Sequence, residues 1–221
     1  MDKILLYWSG GKDSTMAFYE VNTNPRYRGY CITDLLTTLT EGYDRISGHG
    51  VRRSLVERQV ACLGLNLHKT YIPKRATMSE YESVIEEALL KYRREGTNAV
   101  ATGDIFIEKR RMATFKKMRV KGCFPLMLKN SREHVTRFID LGFKAYVVCV
   151  DAAALDKSFA GRIIDRDFLD QLPTGVDPCG ENGEFHTFVF DGPMFRERVK
   201  CKLGEVVTRE SFYFCDLLLD D

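Results

Sequence analysis

The sequence predicts a Rossmann-like α/β domain followed by a smaller α+β lobe, and three observations predict it. From Lys3 to about Leu128, short apolar runs alternate with helical patterns, as βα units feeding a parallel sheet do. A glycine-rich turn, Ser9-Gly10-Gly11-Lys12-Asp13-Ser14-Thr15, stands directly after the first apolar run and directly before a helical pattern. The last third reads as β-rich and closes with two runs that form an antiparallel pair. The expected division is a first domain over 1–128 and a second lobe over 129–221.

The strands expected in the first domain are Ile4 to Trp8, Gly29 to Leu36, Leu67 to Ile72, Ala99 to Thr102 and Cys123 to Leu128. Between the third and fourth lies the clearest helix, with Tyr81, Val84, Ile85, Ala88, Leu89 and Tyr92 spaced so that one face is apolar. Ser79 with Glu82 suits a capping box at its start, and Gly96 suits its stop. The second lobe opens with a helix over Glu133 to Leu141 and an apolar strand over Ala145 to Val150. An irregular stretch from Asp156 to Gly183 follows. Strands over Phe185 to Phe190, Lys202 to Arg209 and Phe212 to Leu219 complete the chain.

Composition bounds the function. With 221 residues and 44% hydrophobic content the chain can bury a sizeable core. Its 33 basic and 31 acidic residues are too evenly balanced to draw a nucleic acid or a membrane by bulk charge, so neither partner is expected. Seven cysteines are scattered without a C-x-x-C pair, mostly in apolar surroundings, and read as reduced, buried thiols. No apolar stretch approaches the roughly 20 residues needed to cross a bilayer. The expected compartment is the cytoplasm.

The glycine-rich turn carries the most chemistry. Glycines let the backbone turn sharply and bring its N–H groups against an anion, while the hydroxyls of Ser9 and Ser14 add donors. The start of the following helix contributes a positive field. Lys12 adds a mobile cation, and Asp13 suits a magnesium ligand. The string is neither a Walker loop nor a G-x-G-x-x-G fingerprint.

The second distinctive passage is Asp177-Pro178-Cys179-Gly180-Glu181-Asn182-Gly183-Glu184-Phe185-His186-Thr187. It is a glycine-punctuated turn bearing carboxylates, an amide, an imidazole and a hydroxyl, and it leads into an alternating strand. Glu184, His186 and Phe188 fall on one strand face, and Phe185, Thr187 and Val189 on the other.

SGGKDS resembles the PP-loop of the N-type ATP pyrophosphatases, of the adenine nucleotide alpha hydrolase type. The Gly180-to-Thr187 passage is similar to the C-terminal signature of the diphthine-ammonia ligase family, position by position at Gly180, Glu181, Gly183, Glu184, Phe185 and Thr187. Gly48-His49-Gly50, Thr102-Gly103-Asp104-Ile105, Phe124-Pro125-Leu126 and Gly142-Phe143-Lys144-Ala145 fall where that family's blocks fall. One departure is Met127, where the family usually carries Trp. The resemblance implies an ATP-dependent ligase that adenylates a carboxylate and amidates it with ammonia, releasing AMP and pyrophosphate, with ATP and Mg²⁺ bound. Ser9, Gly10, Gly11, Lys12, Asp13, Ser14 and Thr15 would hold the phosphates, with Asp13 on the metal. Gly180, Glu181, Gly183, Glu184, His186 and Thr187 would line the acceptor site. Lys12, Asp13, Glu181 and Glu184 would be catalytic, the two glutamates orienting the acceptor or deprotonating ammonium. The acceptor would be a carboxylate on a protein or a small molecule, and a homo-oligomer is left open.

Further candidates stand beside these. Gly103 and Asp104 close the fourth strand at the rim where phosphates would lie, although Asp104 would equally serve as a helix N-cap. Thr37, Thr38 and Thr40 end the second strand at the same rim; Thr37 is retained as a nucleotide contact. Between Lys109 and Lys121 seven residues are basic: Lys109, Arg110, Arg111, Lys116, Lys117, Arg119 and Lys121. A solvated helix face is the commoner explanation of such a run, and Arg111 is the member retained for function. His49, at the start of the second helix, and His186 suit proton handling near neutral pH. His68 and His134 lack companions and read as structural. An RNA-modifying PP-loop enzyme and a non-catalytic ATP-binding sensor are the alternative readings.

Overall fold

A computed structural model describes residues 1–106, 109–127 and 129–220. In β1 (Asp2–Tyr7) Ile4, Leu5 and Leu6 are all buried, as a central parallel strand with both faces covered requires. α1 (Lys12–Thr23) follows the glycine turn at once. β2 (Tyr30–Thr40) runs parallel to β1, ending four residues beyond the expected Leu36, and its end pairs antiparallel with the short β3 (Arg45–Ile46). After α2 (Arg53–Leu63) come β4 (Asn66–Ile72), α3 (Met78–Arg94), β5 (Ala99–Ala101), α4 (Lys109–Lys117) and β6 (Lys121–Cys123). The parallel strands lie in the order β4–β2–β1–β5–β6. That order changes direction at β1, the topological switch point where open α/β sheets bind ligands.

One sheet face is closed by α3 and α4. Leu5, Leu36 and Val100 from three adjacent strands pack with Ile85, Leu89, Tyr92, Phe115 and Met118. Three local expectations need correction. The capping box is Thr77 with Glu80, not Ser79 with Glu82: the helix starts at Met78, Glu80 N donates to Thr77 Oγ1 at 3.3 Å, and Thr77 N donates to Glu80 Oε2 at 2.7 Å. The fifth expected strand, Cys123 to Leu128, is instead Lys121–Cys123, because Pro125 has no N–H for a ladder and the chain turns there; Leu128 lies outside the described residues. His68 has companions, with Nε2 2.7 Å from Asp34 Oδ1 and its ring 4.7 Å from that of Tyr92.

The remaining elements are α5 (Ser131–Asp140), β7 (Lys144–Asp151), α6 (Arg166–Asp170), β8 (Phe185–Asp191), β9 (Cys201–Arg209) and β10 (Phe212–Leu219). Their strands form an antiparallel sheet in the order β8–β7–β10–β9. The stretch expected to be irregular contains α6, capped by Asp165, whose side chain accepts from Phe168 N at 2.8 Å. Phe168 then packs edge-on against Phe159 and Phe185, with ring centroids 5.8 and 5.3 Å apart.

Packing divides the chain into two compact units that do not follow chain order. One comprises Met1–Ser9, Asp13–Ser47 and Leu65–Leu128; the other comprises Gly10–Lys12, Gly48–Gly64 and Lys129–Asp221. A cut at 128/129 would assign α2 and the tip of the glycine turn to the first domain, whereas by contacts they pack with the C-terminal half. Among the described residues no helix is long and apolar enough to cross a membrane. All seven cysteines are free and six are buried; burial pushes the Cys149 thiol up to about 12 and keeps it protonated.

Candidate functional site

In the first unit, the carboxyl ends of β2, β1 and β5 meet the start of α1. Trp8 N donates to Leu36 O at 2.8 Å, carrying the β1–β2 ladder up to the glycine turn. Ser9 Oγ and Ser14 Oγ are 3.3 Å apart across that turn. Gly103 lies against the first turn of α1, and a Cβ there would sit 2.7 Å from Asp13 C and 2.8 Å from Ser14 N. Only glycine allows backbone to come this close to a helix N-terminus, the end of a helix that suits an anion.

Around this rim the hydroxyls of Tyr7, Thr37 and Thr102 are buried without a hydrogen-bond partner among the described residues. Tyr7 ends β1 and stands beside Leu36, the neighbour of Thr37; Thr102 follows Ala101, which pairs with Leu6. Folded proteins pair nearly all such groups, since leaving one unmade costs on the order of 1–3 kcal/mol. Three together at a switch point therefore have the chemistry of contacts awaiting a polar ligand. Thr38 and Thr40 differ: both are partly exposed, and Thr40 Oγ1 lies 3.1 Å from Ser47 Oγ in the β2–β3 hairpin.

Arg111 reaches the same rim. Its Nε lies 2.8 Å from Asp104 Oδ2, and its guanidinium sits 5.5 Å from the centroid of the Tyr7 ring. Burial raises the Tyr7 phenol, against the opposing pull of Arg111, so Tyr7 remains a neutral donor. Elsewhere in the basic run, Lys117 pairs with Glu86 of α3 at 2.6 Å and so ties two helices together. The side chains of Lys109 and Arg110 lie outside the described residues.

In the second unit, the tip of the glycine turn is held by β8 and the signature loop. Lys12, expected to be a mobile cation, is only 2% exposed. Its ammonium donates to the carbonyl of Cys179 and lies 5.5 Å from the Phe185 ring centroid, while its backbone N–H donates to Thr187 Oγ1 at 3.0 Å. A buried ammonium needs an acceptor, and the signature loop provides the Cys179 carbonyl. Gly10 has φ +80°, and its carbonyl accepts from Val189 N at 2.9 Å and from Gln59 Nε2 at 2.9 Å. Sequence reading missed Gln59. A lone glutamine in an amphipathic helix gives no signal until its burial is seen.

Within the signature loop, Asp177 Oδ1 accepts from Cys179 N at 2.8 Å and Glu181 N at 3.4 Å. Gly180 has φ +70°, and a Cβ there would lie 2.6 Å from Phe185 O. Glu184, only 7% exposed, turns its carboxylate back into the loop. Asp177 N donates to Oε1 at 3.0 Å, Asn182 N to Oε2 at 3.0 Å, and Asn182 Nδ2 to Oε1 at 2.9 Å. Burial alone would raise this carboxyl, but the donors outweigh it and hold it below the usual range. Cys179 is buried, with Sγ 3.2 Å from Ser131 O. His49 stands in the turn ahead of α2, not on the helix, which begins at Arg53. Its ring stacks on His186 with centroids 4.4 Å apart and planes at 29°.

Comparison with known proteins matches both halves of the chain. Residues 1–123 match the family model of the diphthamide synthase N-terminal domain, and residues 130–217 that of the diphthamide synthase C-terminal domain. The chain is 27% identical over 143 residues to the diphthine–ammonia ligase of Bos taurus, covering 61% of this chain and 54% of the relative. It is 24% identical over 159 residues to that of Homo sapiens, covering 68% and 60%, and 24% identical over 183 residues to that of Mus musculus, covering 79% and 68%. The chain thus spans little more than half the length of the bovine and human proteins.

Proposed function

The chain belongs to the diphthamide synthase family, and from that premise we propose that it is an AMP-forming, ATP-dependent ligase that converts a carboxylate to an amide with ammonia. The observation that carries the ATP half is the set of buried hydroxyls of Tyr7, Thr37 and Thr102 at the carboxyl ends of β1, β2 and β5, unpartnered among the described residues. They suit a nucleotide, with Thr37 and Thr102 toward the adenosine side and the Gly103 backbone and Arg111 toward the α-phosphate. Ser9, Gly10, Gly11, Ser14 and Thr15 hold the β- and γ-phosphates through backbone N–H groups and hydroxyls. Asp13, in the first turn of α1, offers a carboxylate for Mg²⁺, which would neutralise charge on the departing pyrophosphate.

In the first step a carboxylate oxygen of the acceptor attacks the α-phosphorus, and the bond from that phosphorus to the β-bridging oxygen breaks. In the second, ammonia attacks the acyl carbon of the mixed anhydride and AMP leaves. The nitrogen sheds a proton, which Glu181 or His186 accepts. Glu184 acts as a positioning residue, because its carboxylate is committed to its own loop. Lys12 does likewise, fastening the loop tip to Cys179 and Thr187. These groups work by placement and fixed charge, which account for much of catalysis in acyl and phosphoryl transfer.

The test is the fate of α-labelled ATP supplied with Mg²⁺, ammonium and fractionated cell protein or small carboxylates. The wild type should form AMP and pyrophosphate, and Asp13→Ala should slow this by about a hundredfold or more. ADP as product, or tight ATP binding with no turnover, overturns the proposal in favour of another phosphoryl-transfer enzyme or a sensor. AMP formation that depends on RNA instead favours an RNA-modifying enzyme.

A further inference from the structure

Gln59 lies at the middle of α2 with no exposure. Its amide Nε2 donates to Gly10 O at 2.9 Å and to Val189 O at 2.6 Å. The Gly10 carbonyl is thus held by two donors, Gln59 Nε2 and Val189 N. Gly10 also packs directly beneath this side chain, since a Cβ there would lie 2.9 Å from Gln59 Oε1. The two carbonyl acceptors settle which end of the amide faces the turn, because only the NH₂ end can donate to both.

A trans peptide is planar, so its C=O and N–H point in opposite directions. Fixing the Gly10 carbonyl on β8 and α2 therefore fixes the direction of the Gly11 N–H, one of the backbone donors of the phosphate turn. With φ +80° Gly10 occupies a region that glycine enters at little cost, and the donors from Val189 and Gln59 help to hold it there. We propose that Gln59 is a positioning residue for pyrophosphate recognition: it sets the Gly10–Gly11 peptide so that the turn presents its N–H groups to the β- and γ-phosphates before they arrive. This rests on the reading of the turn as the ATP phosphate site. Gln59 touches no substrate, and its effect is transmitted through one peptide plane.

The experiment measures three ligands on the full chain by calorimetry: ATP, inorganic pyrophosphate and adenosine. It adds KM and kcat for AMP formation and a thermal unfolding curve. Gln59→Leu keeps the volume but removes both donors. We expect pyrophosphate affinity to fall and KM for ATP to rise by about five- to tenfold, with adenosine affinity within twofold of wild type. A purely structural role would lower Tm and leave pyrophosphate affinity unchanged, and that outcome overturns the proposal. If Gln59→Leu does not fold, Gln59→Glu decides. A carboxylate facing two carbonyl oxygens is repelled, whereas its protonated form supplies one donor, so pyrophosphate binding should recover as pH falls, against a wild-type reference at each pH. No recovery relative to that reference sinks the idea. A wild type that binds neither ATP nor pyrophosphate would instead remove the nucleotide reading itself, a result distinct from equal binding by wild type and variant.

Discussion

The rim of the parallel sheet and the signature loop of the antiparallel unit are both rich in buried polar groups, but they treat those groups in opposite ways. At the rim, Tyr7, Thr37 and Thr102 keep hydroxyls buried and unmatched. In the signature loop, the Glu184 carboxylate meets three donors from within eight residues of chain. Unmatched groups carry an energetic cost in the free protein that a polar ligand can remove. Matched groups lower the energy of the fold and mark what holds the loop in place. Residues that look equally functional in sequence thus separate into unmatched and matched groups, which we propose act as contacts and supports.

The largest effect that would break this contrast is on the support side. Glu184→Ala removes three charge-assisted hydrogen bonds and leaves two backbone N–H groups of the loop to find water. We expect a loss of about 2–4 kcal/mol in denaturant unfolding, with the bonds not additive. Because the loop carries Cys179 and leads into Thr187 of β8, which together hold Lys12, turnover should fall beyond what the lost stability explains. An alanine variant as stable and as active as wild type would place Glu184 outside the supports.

The same carboxylate sharpens the comparison through pH. Its folded pKa is depressed, so its contribution is present above the ordinary carboxylate value and is lost as pH falls through the folded value. Wild-type stability should therefore decline more steeply than that of Glu184→Gln as pH is lowered from neutrality into the acid range. Parallel stability curves for the two proteins would mean that the carboxylate's charge gives the loop nothing.

Much of this was legible in the sequence, and the parts that were not share a cause. The α/β alternation, the SGGKDS turn after β1 and the apolar face of α3 are local patterns, and local patterns survive in a one-dimensional reading. The capping box was misplaced by two residues because Thr77/Glu80 and Ser79/Glu82 satisfy the same spacing, and only the backbone of Thr77 decides between them. The burial of Lys12, expected as a mobile cation, was not legible because its acceptor is 167 positions away along the chain. Gln59 was missed because the carbonyls it serves belong to Gly10 and Val189, and no spacing rule connects α2 to either. Glutamates of one signature look alike in sequence, and only the donors around Glu184 separate it from Glu181.

The smallest effect comes from the rim, and its value lies in its sign. Thr37→Val and Thr102→Val each replace a buried, unpartnered hydroxyl with a methyl group of nearly the same shape. For an ordinary buried threonine that change breaks a hydrogen bond and destabilises the protein. Here there is no bond to break, so the free protein should be unchanged or more stable by up to about 1 kcal/mol. ATP affinity should move the other way, falling by about three- to tenfold at each site, because the valine cannot pair with the ligand. Measuring Tm without nucleotide and ATP affinity on the same two variants separates the possibilities. Opposite signs mean hydroxyls held ready for a ligand. Lower Tm with unchanged affinity would mean that the threonines support the fold as Glu184 does, and the contrast between the two regions would disappear.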